Sequence, residues 1–391
     1  MTTALGDITV LDLTRVLAGP YCTMMLADFG ANVIKIEIPG KGDDTRAMGP
    51  IKNGASMYYA NVNRNKKGVT LNLKAPEGKE LFKELVKKAD VVVENYRPGV
   101  MDKLGLGYDE LKKVNPRIIY AAVSGFGCYG PNSQRPGYDI IAQAVGGLMS
   151  ISGHPGGQPT RVGSAMGDML GGMNLTIGIL MALHARQLTG RGQRVDVALV
   201  DSVVASLETG TQRYFASGKR PELMGNRYAA AYPYDSFAAA DGSFVIACGN
   251  DHLFQLLCEK VIHRPDLLTD PRFDSNLKRC DNHAALKPEI EKWTSLHTID
   301  EAVEAINAAG VPAAPINDMR RVTSDDSIAN VREMFVIGDM RVNGNPVKLL
   351  DMMPQITRHA PELGQDNEAV YGELLGLDAA ALNEYREKHV I

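Results

Sequence analysis

The sequence predicts an α/β protein, with a doubly wound, mainly parallel sheet in a large domain and a smaller α/β domain as a second unit. Three observations carry this. Apolar strand-like runs alternate with amphipathic helical stretches through the first half, the pattern of successive βαβ units. The chain has 391 residues, more than one hydrophobic core usually serves. Near residue 220 the pattern gives way to loops of small residues with Tyr and Pro.

In order, "ITVLDL" (8–13) reads as a buried strand and "PYCTMMLADFG" as a helix opened by Pro20 and closed by Gly30. "NVIKIE" (32–37) and "GVTLNL" (68–73) are the next strands. "PEGKELFKELVKKA" (76–89) is an amphipathic helix with a proline start. "DVVVEN" (90–95) and "RIIYAAVSG" (117–125) are strands with a helix near "MDKLGLGYDELKKV" between them. An apolar helix runs from about Gly171 to Gln187, and "GRGQRVDVALVDSVVASLETG" is a strand leading into another helix. "GSFVIACGN" (242–250) is a strand ending in a Gly turn, followed by helices around 251–261 and 283–295 and by "TIDEAVEAINAAGVPAAPIND". The expected domains are 1–200, 225–320 and a tail, 330–391, that returns to the first.

Bulk properties exclude several function classes. An apolar fraction of 45%, a charged fraction of 23% and a net charge of -4 fit a soluble enzyme and oppose a general nucleic-acid or membrane-surface binder. The five scattered cysteines form no CxxC pair, which fits a reducing cytoplasm and opposes a disulfide framework or cysteine zinc site. "MTTALGDITVLDL" lacks the basic start and apolar stretch of a secretory signal. "MLGGMNLTIGILMALHA" is short for a membrane span and carries Asn174 and Thr176, so a buried core helix is expected.

Familiar chemistries find little support. The turn after strand 8–13, "TRVLAGPYCT", lacks the GxGxxG of a dinucleotide site, although Glu37 ends the second strand where a ribose-binding acid would sit. The eight histidines show no HxxxH or HxH pairing, and no metal site is expected. His184 reads as a core histidine and Cys248 as a buried structural thiol. No GxSxG elbow stands out.

What remains is "TRVGSAMGDMLGGMNL", where Asp168 sits among glycines at the mouth of the apolar helix. Asp168 is either a helix N-cap or an accessible nucleophilic carboxylate. The positive end of a helix favours the ionised form in both cases. Gly163, Gly167, Gly171 and Gly172 tilt the balance toward the nucleophile, because glycines permit close approach of a substrate and a cap does not need them.

Several stretches together, "LDLTRVLAGPYCTMMLADFGANVIKIEIPGKGDDTR", "NRNKKGVTLNLKAPEGKELFKELVKKADVVVENYRPGVMDKLGLGYDEL", "GDMLGG", "TGRGQRVDVAL" and "GVPAAPIND", resemble the family III CoA-transferases of the CaiB/BaiF type. That family includes formyl-CoA, crotonobetainyl-CoA and succinyl-CoA–glutarate transferases. The resemblance implies an intertwined, ring-in-ring homodimer; the cysteine pattern sets the expectation of a cytoplasmic enzyme. Its substrates would be an acyl-CoA thioester and a small carboxylic acid, with no tightly bound cofactor.

By position, the resemblance makes Asp168 the nucleophile that forms aspartyl–acyl anhydride and aspartyl-CoA intermediates. It places CoA on Arg15, Leu17, Ala18, Lys74, Asn95, Tyr96, Arg97 and Lys103. Backbone N–H groups near Gly167 and Gly249 are the expected oxyanion donors.

Leu17 and "CGNDHLF" depart from the formyl-CoA branch and point away from formyl-CoA–oxalate exchange. "GDDTRAMGP" and "VNRNKK" point toward a succinyl-CoA-like or dicarboxylate substrate, whose second carboxylate a surface arginine such as Arg46 could hold. The alternative is an isomerase like α-methylacyl-CoA racemase, which uses a histidine and an aspartate as paired acid and base. The racemase's "GHD" block reads "GYD" here, and Tyr138 suits a hydrogen-bond donor beside Asp168 better than a neutral-pH base.

Overall fold

The computed structural model describes residues 3–336 and 341–391. The chain forms two compact units, one of Met1–Leu148, Arg161–Phe215 and Asp326–Ile391, the other of Met149–Thr160 and Ala216–Asp325.

The larger unit is built on six strands: β1 (Thr9–Asp12), β2 (Asn32–Glu37), β3 (Lys67–Thr70), β4 (Val91–Glu94), β5 (Ile119–Ser124) and β6 (Arg194–Ala198). Their order is β3-β2-β1-β4-β5-β6, with every neighbouring pair parallel. Successive side chains of a strand point to opposite faces, so an apolar run buried on both sides feeds two cores. Leu11, Ile34 and Val92 enter one core, and Val10, Val33, Val91 and Val93 the other.

On the first face pack α3 (Pro76–Lys88), through Leu81, Phe82 and Leu85, and α5 (Tyr108–Val114), through Leu111. On the second face lie α1 (Ala18–Asp28), through Cys22 and Leu26, α7 (Met166–Thr189), through Leu175, Ile179 and Leu183, and α8 (Leu199–Ala205), through Val203. Between these come the short helices α2 (Met57–Asn63), α4 (Val100–Leu104) and α6 (Asp139–Val145).

The smaller unit holds an antiparallel sheet of β7 (Tyr234–Ala239), β8 (Gly242–Ala247) and β9 (Ala313–Pro315), with β8 central. Phe237, Phe244 and Ile246 pack there against Ile290 of α10 (His283–Thr294) and Ile306 of α11 (Ile299–Ala308), which follow the short α9 (Asp251–Leu256). The tail ends in α12 (Asn367–Leu375) and α13 (Ala379–Glu387). It pairs with the sheet's edge: Asp366 and Asn367 accept from the Gly68 and Thr70 N–H groups, and the Tyr371 hydroxyl donates to Thr70 O.

Some elements differ from the sequence reading. α1 starts at Ala18, two residues before Pro20. The helix expected around 101–114 is two, separated at Gly105, whose φ of +74° breaks the helical path. α6 and β7 have no counterpart among the expected elements. α7 starts at Met166, five residues earlier than expected, which moves Asp168 from the helix mouth into its first turn.

α7 is also less buried than a core helix. Among the described residues it alone is long and apolar enough to cross a membrane, yet it packs one face on the sheet and only 39% of its apolar stretch is buried. Ile177, Leu180, Met181 and Leu188 stay exposed in this chain, and so does His184.

Candidate functional site

The strand order reverses direction at β1, which lies between β2 and β4. Ligands of open α/β sheets bind at such a switch point, beyond the carboxyl ends of the strands. Two loops meet there. The Asn95 side chain accepts from the Arg15 N–H at 2.9 Å and donates to the Arg15 carbonyl at 2.7 Å, which ties the loop after β4 to the loop after β1. The Arg15 guanidinium lies 5.5 Å from the centre of the Tyr96 ring and faces Asp44 at 3.6 Å.

Of the residues expected at the CoA site, Arg15, Asn95 and Tyr96 are thus brought into contact. Leu17 is the residue preceding α1, and Ala18 is its buried first residue. Lys74, Arg97 and Lys103 are exposed, follow β3 and β4, and make no ion pair among the described residues.

Sequence reasoning missed Val16. Its φ of +68° is a conformation that β-branched residues rarely take. The Val16 N–H faces both Asp43 carboxylate oxygens at 3.4 Å. Asp43 is paired at 3.0 Å with Lys35, both side chains being fully buried, and the Lys35 ammonium also donates to Thr14 O at 2.9 Å. A strained residue thus stands at the switch point, held from two sides.

Asp168 is the third residue of α7 and does not cap it; the residue before the helix, Ala165, makes no side-chain cap either. The cap comes from another helix, because the Gly167 N–H donates to Asp139 Oδ1 of α6 at 2.8 Å. Asp139 also accepts from Gln143 Nε2 at 2.9 Å and faces Arg161 at 3.6 Å.

The Asp168 carboxylate makes no hydrogen bond or ion pair among the described residues. Burial first, and then the charge of Asp139, push it up to about 7. Burial thus opposes the ionised form that the helix end favours. The dipole's favourable contribution of about 0.3–1 kcal/mol is smaller than the desolvation that opposes it. Tyr58 of α2 lies within range of the Asp168 charge: burial and then that charge raise its phenol to about 12. No motif signals this residue beyond its place in a Ser-capped helix start, with Ser56 Oγ accepting from the Tyr59 N–H.

The glycines serve packing more than access. A Cβ on Gly172 would stand 2.6 Å from the Ala18 carbonyl oxygen of α1, and one on Gly171 2.5 Å from Leu199. Around Gly163 alone of the four there is open space. Gly167 is no oxyanion donor in this arrangement, since Asp139 takes its N–H. Gly249 has open surroundings in the smaller unit.

Tyr138 immediately precedes α6, is 74% exposed and makes no hydrogen bond to Asp168. Arg46 is spent, because its guanidinium bonds both Glu37 oxygens, at 2.8 and 2.6 Å, together with the Tyr59 hydroxyl and Pro361 O. The same contacts occupy Glu37 and remove it as a ribose ligand. Cys248 is buried as expected, and burial raises its thiol to about 12.

The family model described as CoA-transferase family III matches residues 5–367. The chain belongs to that family. An acetyl-CoA:oxalate CoA-transferase from Acetobacter aceti is 44% identical over 374 residues, covering 95% of this chain and 96% of that protein. The human succinyl-CoA:glutarate CoA-transferase is 37% identical, covering 99% and 90% respectively. Among solved structures, a CaiB/BaiF family protein from Brucella suis has a TM-score of 0.86 at 37% identity, covering 96% of this chain and 100% of that one. This family III CoA-transferase is thus an enzyme that uses CoA thioesters and carboxylic acids as substrates.

Proposed function

We propose that the enzyme moves CoA from a succinyl-CoA-like donor to a small carboxylic acid through covalent intermediates on Asp168. The single observation that carries this is a partly buried carboxylate that has no partner among the described residues, with its acidity weakened by burial. An acid drawn out of water for the sake of stability is normally paired; an unpaired one is available for chemistry.

An Asp168 oxygen adds to the thioester carbonyl, and collapse of the tetrahedral oxyanion breaks the C–S bond. This leaves an aspartyl–acyl anhydride and CoA thiolate. The thiolate attacks Asp168 Cγ, releasing the donor acid as carboxylate and leaving an aspartyl-CoA thioester. The acceptor carboxylate attacks the same carbon and expels the thiolate. Attack of that thiolate on the new acyl carbon gives the product thioester and restores Asp168. Each intermediate keeps the acyl transfer energy, so water has to be excluded.

In this reading the Arg15–Asn95–Tyr96 cluster, with Leu17 and Ala18, holds CoA along the β1 and β4 loops. The unpaired Lys74, Arg97 and Lys103 supply cations for its phosphates. Tyr58 and Tyr138 are the hydroxyl donors for acyl oxygens. Oxalate and glutarate, which appear in the relatives' names, support a dicarboxylic acid as one substrate. The exposed apolar face of α7 supports a homodimer, and free Cys22, Cys128, Cys248, Cys258 and Cys280 support a reducing cytoplasm. A racemase would need a second base across the α-carbon. Tyr58, held at about 12, stays protonated at neutral pH and does not supply one.

The test is peptide mass spectrometry after mixing the enzyme with succinyl-CoA and related donors in hydroxylamine. A hydroxamate on Asp168 is expected. No adduct with any donor, together with deuterium entering an α-methylacyl-CoA from heavy water, would instead establish the isomerase.

A further inference from the structure

An open groove of about 300 Å³ in the larger unit has Tyr58, Asn61, Arg341 and Asn343 as its polar lining, and no carboxylate among its lining residues. Its floor is fixed: the Asn343 N–H donates to Asn61 Oδ1 at 2.9 Å, which pins the segment after Arg341 to α2. The other end of α2 is held through Ser56, whose hydroxyl donates to Met48 O at 2.6 Å. Arg341 is exposed and has no ion-pair or hydrogen-bond partner among the described residues.

Several other arginines of this unit are committed. Arg46 is bound to Glu37, Arg64 to Asp28, Arg358 to Asp366 and Arg186 to Asp90. Arg161 and Arg15 face carboxylates at 3.6 Å. Among the described residues, Arg341 is a guanidinium without a counter-ion, and the groove's lining residues include no acid. The amide Nδ2 of Asn61, unbonded among the described residues, lies in the same lining. Tyr58 lines the groove and lies within range of the Asp168 charge, which places the groove on the Asp168 side of α2.

We infer that Arg341 is the specificity-determining residue for a dicarboxylic acid. Its guanidinium takes the distal carboxylate in a two-point pair while the proximal carboxylate, or the thioester made from it, meets Asp168. Guanidinium–carboxylate geometry suits such two-point recognition. The volume suits the tail of a small acid and is too small for CoA. This inference rests on the Asp168 transferase reading, and it gives to Arg341 the role that Arg46, already engaged, cannot fill.

The test compares succinate with its monomethyl ester as CoA acceptors in wild type, Arg341→Gln and Arg341→Lys, with thermal melts confirming that all three fold. Wild type should prefer succinate. Arg341→Gln should reduce the succinate-to-ester ratio of kcat/KM roughly 10- to 100-fold, the value of a charged hydrogen-bonded pair, and Arg341→Lys should restore part of it. An unchanged ratio, or a wild type that prefers the ester, overturns the role of Arg341 while leaving the transferase reading intact. If wild type transfers CoA to neither acid and yields no Asp168 hydroxamate, the parent reading fails and this one with it.

Discussion

Replacing Asp168 by Asn tests its burial independently of its chemistry. The carboxyl is raised from an ordinary 3.8 to about 7, which at 1.36 kcal/mol per pH unit penalises the ionised folded state by roughly 4 kcal/mol. The sign follows from proton binding. Between these two values the folded protein holds a proton that the unfolded chain has lost, so stability falls as pH rises through that window and levels off above about 7. Below the unfolded value the penalty vanishes. The amide of the variant carries no charge at any pH, so the variant escapes the penalty. Integration gives a wild-type penalty of about 2 kcal/mol at pH 5 and about 4 kcal/mol at pH 8. The start of α7 offsets about 0.3–1 kcal/mol of it. Asp168→Asn should therefore gain about 2 kcal/mol on wild type between pH 5 and pH 8, while losing CoA transfer. The assay is urea unfolding of both proteins across that range with m-values compared. A stability difference that does not change with pH would refute the argument, and one that changes in the opposite direction would show that Asp168 is stabilised as an anion.

Asp139→Asn keeps an acceptor for the Gly167 N–H but removes the charge that opposes ionisation of Asp168. The midpoint of the pH–rate profile should move toward acid by less than about one pH unit, because burial is the larger cause; a shift toward base would contradict it. Gly172→Ala should destabilise by roughly 1–3 kcal/mol, since its Cβ meets a carbonyl oxygen that cannot move freely, whereas Gly163→Ala should be nearly silent. Equal denaturation midpoints for the two variants would argue against the helix contact. Asn95→Ala removes both bonds to the Arg15 backbone and should raise KM for acyl-CoA about 10-fold, near the value of one to two hydrogen bonds. A fall in kcat at constant KM would place Asn95 elsewhere in the reaction.

Most of the six parallel strands were legible because they are short apolar runs with a turn residue nearby. Such runs mean the same thing in any surroundings that bury both faces. Asp168 was legible as a singular acid, and its neighbours in chain order as glycines. Their meaning was not legible, because it depends on atoms far away in sequence. The Ala18 carbonyl against Gly172, Leu199 against Gly171 and Asp139 on the Gly167 N–H turn an apparent substrate gap into helix packing and a cap. The burial of Asp168 was hidden for the same reason. A helix start is a local feature and argues for the anion, while burial comes from the folded chain and opposes it.

The switch-point loop shows how such non-local terms are held in place. Val16 is kept at positive φ, which costs about 1–3 kcal/mol, between the Arg15–Asn95 clamp on one side and the Asp43–Lys35 pair on the other. Beneath it Asp12, which burial alone would raise, is kept down at about 2 by Lys66, Lys35 and the Thr14 and Thr23 hydroxyls. Buried ion pairs add little net stability over apolar residues of the same size, but losing one partner leaves an uncompensated charge. Their value here is geometric. They fix the direction of the Arg15, Val16 and Leu17 backbone with groups that have no lower-energy alternative inside the sheet. The loop is thereby preorganised without any of the glycines that a dinucleotide-binding turn would need, which is why its function could not be read from a glycine motif.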